Sequence, residues 1–219
     1  MFWEQLSTMQ FLREVLLDHL VYATPDLEAT CRDLEIRLGV RASAGGQHPG
    51  RGTHNALISI GPRAYLEIIG PDPLQPEIRP VWFGIDQLPA PKFITWAVRV
   101  DGLEAFVKEI SPEANVGVVR SGSRKTPEGA TISWRLTEPQ LVQGVGLTPF
   151  LIEWDSVEHP AGSAITGPPL VQLRLEHPEP ESIRKQLNWL PVEVVIEQGA
   201  SPALVAFFDG SGNGLIELR

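Results

Sequence analysis

Several things are scarce in this chain of 219 residues. It has one cysteine, Cys31, so no disulfide forms within it and the fold rests on a hydrophobic core of its own. No apolar run is long enough to cross a bilayer: the N-terminal stretch MFWEQLSTMQFLREVLLDHL is interrupted by Glu4, Arg13 and Glu14. A cationic segment leading into a long apolar one, the mark of a secretory leader, is also missing. Positive charge is thin, with 18 Lys+Arg against 27 Asp+Glu and a net charge of −9, and no basic stripe is present to follow a phosphate backbone. These absences speak against nucleic acid and membrane as partners, and they give the expectation of a cytoplasmic protein. No G-x-S-x-G elbow is present, and DGSGNG, Asp209 to Gly214, does not open a helix, so neither a serine nucleophile nor a nucleotide loop is expected.

What the chain has in plenty is glycine and proline, 20 of each, which means many turns and short elements in place of a helical bundle. Leu17 to Ala23 reads as a strand. In DLEATCRDLEIRLGV, Leu27, Cys31, Leu34 and Leu38 recur at the spacing of one buried helical stripe, with Thr24 and Pro25 at the start and Gly39 at the stop. HNALISI and AYLEIIG follow as strands, after a poorly defined strand in VRASAGG.

The same order returns twice. FITWAVRV and DGLEAFVKEI read as strand and helix, with Asp101 and Glu104 at capping-box spacing, followed by strands in NVGVVRS, ATISWRL and PFLIEW. LVQLRLEHPEPESIRKQLNWL reads as strand, turn and helix, with Ile183, Leu187 and Leu190 on one face, followed by VEVVIEQ, ALVAFFD and GLIELR. The expectation is an α+β protein of repeated βαβββ units whose curved half-barrel sheet carries helices outside. Its organisation would be an N-terminal extension (1–16), a domain over 17–155 made of units 17–70 and 92–155, a linker (156–169) and a third unit (170–219). In the connection between the first two units, Val81, Trp82 and Phe83 form a bulky apolar patch that either plugs the core or covers a pocket.

Repeated βαβββ units with a histidine on the first strand and a glutamate on the last resemble the vicinal oxygen chelate superfamily of glyoxalases, extradiol dioxygenases and antibiotic-resistance proteins. The likeness lies in LDHLVYATPDLEATCRDLEIRLGV and FFDGSGNGLIELR, and GGQHPGRGTHNALISIGPRAYLEIIG resembles the glyoxalase-like branch. The resemblance implies two units paired around a pocket, with first- and last-strand side chains meeting on a divalent metal (Zn, Fe, Mn, Ni or Co). The reaction would be that of a lyase, isomerase or dioxygenase on a small oxygenated molecule. The alternative it implies is a metal-free protein that binds or sequesters a small molecule; a homodimer is compatible with either.

By position, the resemblance assigns the metal to His19, Glu67 and Glu153, with Glu67, Glu153 or His54 moving a proton. Glu67 is the sharpest hint, because a carboxylate flanked by YL and II is costly to bury without a partner; an arginine partner or an exposed edge is the plain reading. Strand alternation sends Leu17, His19 and Val21 to one face, and Tyr65, Glu67 and Ile69 to one face. The first strand of the second unit offers only Thr95 or Trp96 where a fourth ligand is expected. Gln172 and Glu217 would complete a set if the first unit paired with the third, although pairing of the first and second, neighbours in sequence, is favoured. The glycine-rich loop GGQHPGRGTHN would rim the pocket, with His48, Thr53 and Asn55 touching substrate, or its histidines simply lie exposed. Trp96 and Trp134 either line an apolar pocket or pack the core. His159 and His177, beside prolines, read as solvent residues.

Overall fold

The structure, a computed structural model, describes residues 16–110, 116–126, 129–141, 144–155, 159–210, 212 and 214–219. The expected N-terminal extension thus lies almost wholly outside the described residues. The strands β1 (Leu16–Ala23), β2 (Ser43–His48), β3 (Thr53–Gly61) and β4 (Ala64–Pro71) come first, with helix α1 (Leu27–Leu38) after β1. Then follow β5 (Lys92–Arg99), α2 (Leu103–Glu109), β6 (Val119–Lys125), β7 (Thr131–Thr137), β8 (Phe150–Trp154) and the short β9 (Ile165–Thr166). The chain ends with β10 (Leu170–His177), α3 (Pro180–Gln186), β11 (Val195–Gln198), β12 (Ala203–Asp209) and β13 (Leu215–Leu218).

The first nine strands form one sheet in the order β2-β6-β7-β8-β5-β1-β4-β3-β9, and β2 also pairs with β3, so the sheet curves until it closes on itself. β1 runs parallel to β4 and antiparallel to β5, and β5 runs parallel to β8. The stretch GGQHPGRGTHN is therefore no loop: it is the β2–β3 hairpin, in which His48 stands opposite Thr53. Gly45 is required there because a Cβ would stand 2.1 Å from Asn55 Oδ1.

The closed sheet has two apolar faces. Outside it, Leu20, Tyr22, Leu66, Ile68, Trp96 and Val98 meet Leu27, Leu34 and Leu38 of α1. Thr30 is the fourth buried position of that helix, while Cys31 is only half-buried. Asp26, not Thr24, caps α1 by accepting from the Ala29 N–H at 2.9 Å, and Gly39 ends it in the left-handed conformation. Inside, Val21, Ala23, Ile69, Ala97, Trp134, Leu136, Phe150 and Ile152 form a second apolar cluster.

The C-terminal strands form a separate four-stranded sheet, β11-β10-β12-β13. It packs against the outer face of the large sheet through Leu173, Leu175, Leu204, Ala206, Phe208 and Leu218. Its pairing differs from that of the first strands: β10 lies between β11 and β12, whereas β1 lies between β4 and β5. Gln172 faces Phe207 in this second sheet and Glu217 is exposed on β13, so neither joins His19.

Two segments expected to be plain connections fold into the closed sheet. Of the apolar patch at Val81 to Phe83, Phe83 and the following Ile85 are buried inside, Trp82 is half-buried and Val81 is exposed. From the linker, Pro160–Gly162 forms a 3-10 turn whose Ala161 packs on Leu57 and Tyr65, and β9 pairs with β3.

Candidate functional site

The site begins with a fault in alternation. Between Leu17 and His19 the β1–β5 register shifts, the mark of a β-bulge, which lets consecutive side chains face one way. Leu17 stays with the outer core, while both Asp18 and His19 join the interior. The expectation that Leu17 shares a face with His19 is corrected by this bulge.

Asp18 is fully buried and surrounded by donors. His19 Nδ1 lies 2.6 Å from Oδ1; His159 Nε2, at 2.9 Å, and Trp154 Nε1, at 3.0 Å, meet Oδ2. Burial by itself raises the carboxyl's pKa, but the hydrogen bonds from His159 and His19 outweigh it and hold the group well below the usual carboxylate range. With Nδ1 donating to Asp18, the His19 ring is fixed with Nε2 turned toward Glu67, 3.7 Å from Oε2. Tyr65 stacks on the ring at 4.7 Å, and Phe150 meets it edge-on at 5.3 Å.

Glu67 is buried on β4 and accepts a 2.5 Å hydrogen bond from Asn55 Nδ2 at Oε1. His48 Nε2 stands 3.9 Å from the same oxygen, and His48 Nδ1 bonds Thr53 Oγ1 at 2.9 Å. Burial is the main influence on His48 and draws its pKa from 6.5 down to about 4, against the opposing pull of Glu67. Its imidazole is therefore neutral near neutral pH. Burial also pushes the Tyr65 phenol well above its usual range.

Arg124 completes the cavity. It is buried on β6, lines the same space as His19, His48 and Glu67, and donates to the Gly45 carbonyl at 2.5 Å. Among the described residues no carboxylate lies within ion-pairing distance of it. Trp134, Trp154, Leu136, Ile152 and Phe150 supply the apolar wall. Phe83 fills most of what remains, leaving about 20 Å³ free. Its backbone is in the left-handed region at φ 59°, at a cost of about 1–2 kcal/mol.

Of the residues singled out in the sequence, the structure brings together His19, Glu67, His48, Thr53, Asn55 and Trp134. It leaves out three. Glu153 is on the opposite face of β8, where it accepts from the Gly102 and Leu103 N–H groups at 2.8 and 3.1 Å and pairs with Arg135 at 2.7 Å. It thereby replaces the expected Asp101 box as the cap of α2, whose N-cap is Gly102 with no side-chain bond of its own. His54, one residue off Asn55 on β3, lies outside, in a groove with α1; burial lowers its pKa and nearby Asp72 raises it. Trp96 packs in the outer core and donates to the Leu147 carbonyl. His159, read as a solvent residue, is a partner of Asp18 instead, whereas His177 bonds the backbone of Glu179 at the surface.

This donor set does not fit the expected divalent metal. The two imidazoles approach different oxygens of one carboxylate, which stands between them, and Glu153 faces away. Among the described residues no three His, Cys, Asp or Glu side chains converge as a metal ion requires. Among the described residues Asn55 Oδ1 and Trp134 Nε1 are buried without a hydrogen-bond partner, the first against Gly45 and the second against Gly122.

A family model for a glyoxalase-like domain matches residues 17–190. The chain belongs to the glyoxalase-like domain family. A hypothetical protein from Staphylococcus aureus superposes on it with a TM-score of 0.64 and 14% identity, over 94% of this chain and 99% of that one, which shows a shared fold. Methylmalonyl-CoA epimerase from Mycobacterium tuberculosis matches with a TM-score of 0.42 and 20% identity, over 63% of this chain and 85% of that one. A hypothetical protein from Bacillus halodurans gives 0.44 and 19%, over 67% and 98%. No curated protein matches the sequence. Among the described residues no helix is long and apolar enough to cross a membrane.

Proposed function

We propose that this glyoxalase-like protein, with residues 17–70 and 92–155 acting as paired βαβββ units, is a proton-transfer enzyme. It would act as an isomerase or lyase on a small carbonyl-bearing molecule. The observation that carries this reading is Glu67, a buried carboxylate held by Asn55 and flanked by two imidazoles in a cavity that also holds Arg124, an arginine with no ion-paired carboxylate among the described residues.

The substrate's carbonyl oxygen lies against the Arg124 guanidinium. Glu67 takes the proton from the adjacent carbon, and the electron pair moves into the carbonyl to give an enolate whose negative oxygen Arg124 stabilises. Return of the proton to carbon, from Glu67 or by way of His19 Nε2, gives an isomer; loss of a leaving group from the next carbon gives a lyase product. Asp18 is a positioning residue that holds His19 in the orientation the transfer needs. Neutral His48 adds a hydrogen bond without a competing charge. The donors do not converge on one point, and each of these steps is carried by the protein's own side chains.

The second reading is a binding or sequestration protein, favoured by the aromatic wall of Tyr65, Trp134, Phe150 and Trp154. One experiment separates the two. A panel of 2-oxo acids, 2-hydroxy ketones and aryl ketones is incubated with the protein in D2O, and proton NMR follows loss of the C–H signal. Proton transfer predicts protein-dependent exchange of at least one compound, reduced by about 10²–10⁴-fold in Glu67→Gln. Binding of panel members with no exchange by the unaltered protein contradicts it and leaves the binding reading.

A further inference from the structure

The reactive groups stand in a space too small for any substrate, and what fills it comes from outside the sheet. Phe83 belongs to the turn Trp82–Gln87, yet its ring lies among Val21, Ile69, Trp134, Phe150 and Ile152. It is the one non-glycine described residue with a positive φ, and Gly84 beside it has φ 69°. A buried ring on a backbone its Cβ disfavours is held there by its packing and by the turn's own bonds, from the Gly84 N–H to the Val81 carbonyl at 3.0 Å and from Arg79 to Asp86. Trp82 stacks on Phe83 at 4.4 Å, meets His48 edge-on at 5.6 Å and lies under the Arg51 guanidinium at 5.0 Å.

Beyond Trp82 is a second, open chamber of about 660 Å³. His48, Trp82, Trp134 and Leu136 line both chambers, so they form the partition between them. Of these, Trp82 alone sits on a turn; the others are on strands. The partition therefore opens by movement of the turn, with Gly84 free to absorb the backbone change.

Resting on the site proposed above, we infer that the Trp82–Gly84 turn is an aromatic plug that occupies the ligand's own place, and that the ligand is a flat aromatic ring carrying an oxygen function. The slot vacated by Phe83 is walled by Tyr65, Phe150, Trp134 and Trp154, which suits a ring. At its polar end, Arg124 is a donor suited to an oxygen anion. A ligand pays to displace the plug, so its apparent affinity is reduced by the fraction of molecules that are closed.

The test is calorimetric titration of the full chain with benzoate, which has ring and carboxylate, and with acetate, which lacks the ring. Benzoate is expected to bind at least tenfold more tightly than acetate. Phe83→Ala is expected to bind benzoate at least tenfold more tightly than the unaltered protein, with Phe83→Leu in between; the leucine variant carries the test if the alanine one does not fold. Benzoate is also expected to shift tryptophan fluorescence, by a smaller amount in Trp82→Phe, where only Trp134 and Trp154 still report on the slot. Equal affinity for benzoate and acetate, or no tightening in either Phe83 variant, overturns the plug. Both readouts are of binding, so a failure of catalysis leaves them intact, and Glu67→Gln is expected to retain the tightening produced by Phe83→Ala.

Discussion

The two halves of the closed sheet share a pairing and differ in chemistry. On one side β1 lies parallel to β4, with His19 opposite Tyr65 and Val21 opposite Glu67; on the other β5 lies parallel to β8, with Ala97 opposite Phe150 and Arg99 opposite Ile152. The places of His19 and Glu67 are thus taken by Ala97 and Ile152, both fully or almost fully buried. One half contributes acid, base and hydrogen-bond donors. The other contributes an apolar wall and, from β6, the Arg124 cation. The lesson is that a single residue of phase decides the matter: Glu153, next to Ile152, faces outward and serves α2.

The contrast can be broken from either side. Asp18→Asn strikes the polar half hardest, because it leaves His19, His159 and Trp154 around a group that no longer carries charge. A loss of about 3 kcal/mol is expected in urea unfolding. His48 gives a pH test of similar size. Its folded pKa, about 4, lies below the unfolded value of 6.5, so between those values the unfolded chain takes up the proton that the native state refuses. Stability should fall as pH drops from 6.5 to 4, by on the order of 3 kcal/mol, and His48→Gln should flatten that slope. A slope unchanged in the variant would show that His48 is not the group responsible. On the other half, Glu153→Gln weakens the cap of α2 and the pair with Arg135, costing about 1 kcal/mol in the same unfolding assay.

Much of this was legible in the sequence, and the failures have physical causes. Helix α1 declares itself through its periodic leucines and Gly39, and Glu67 through its apolar neighbours. The second half is harder because FITWAV and PFLI are buried on both faces, so no polar alternation reveals which residues point inward. That is how Glu153 and Trp96 came to be assigned to the pocket. His54 failed for a related reason: in a hairpin Thr53 and Asn55 face inward and His54 outward, whereas a loop imposes no such phase. Asp18 depended on a bulge, and His159 on a contact 141 residues away in sequence, neither of which leaves a local signature.

The most direct test sets the two glutamates against each other. For a compound whose C–H exchange the protein promotes in D2O, rates are compared in Glu67→Gln and Glu153→Gln, both confirmed folded. A loss of at least about a hundredfold in Glu67→Gln, with Glu153→Gln within about twofold of the unaltered protein, is the expected result. Equal losses in the two variants, or a loss confined to Glu153→Gln, would contradict the assignment of proton transfer to the polar half of the sheet.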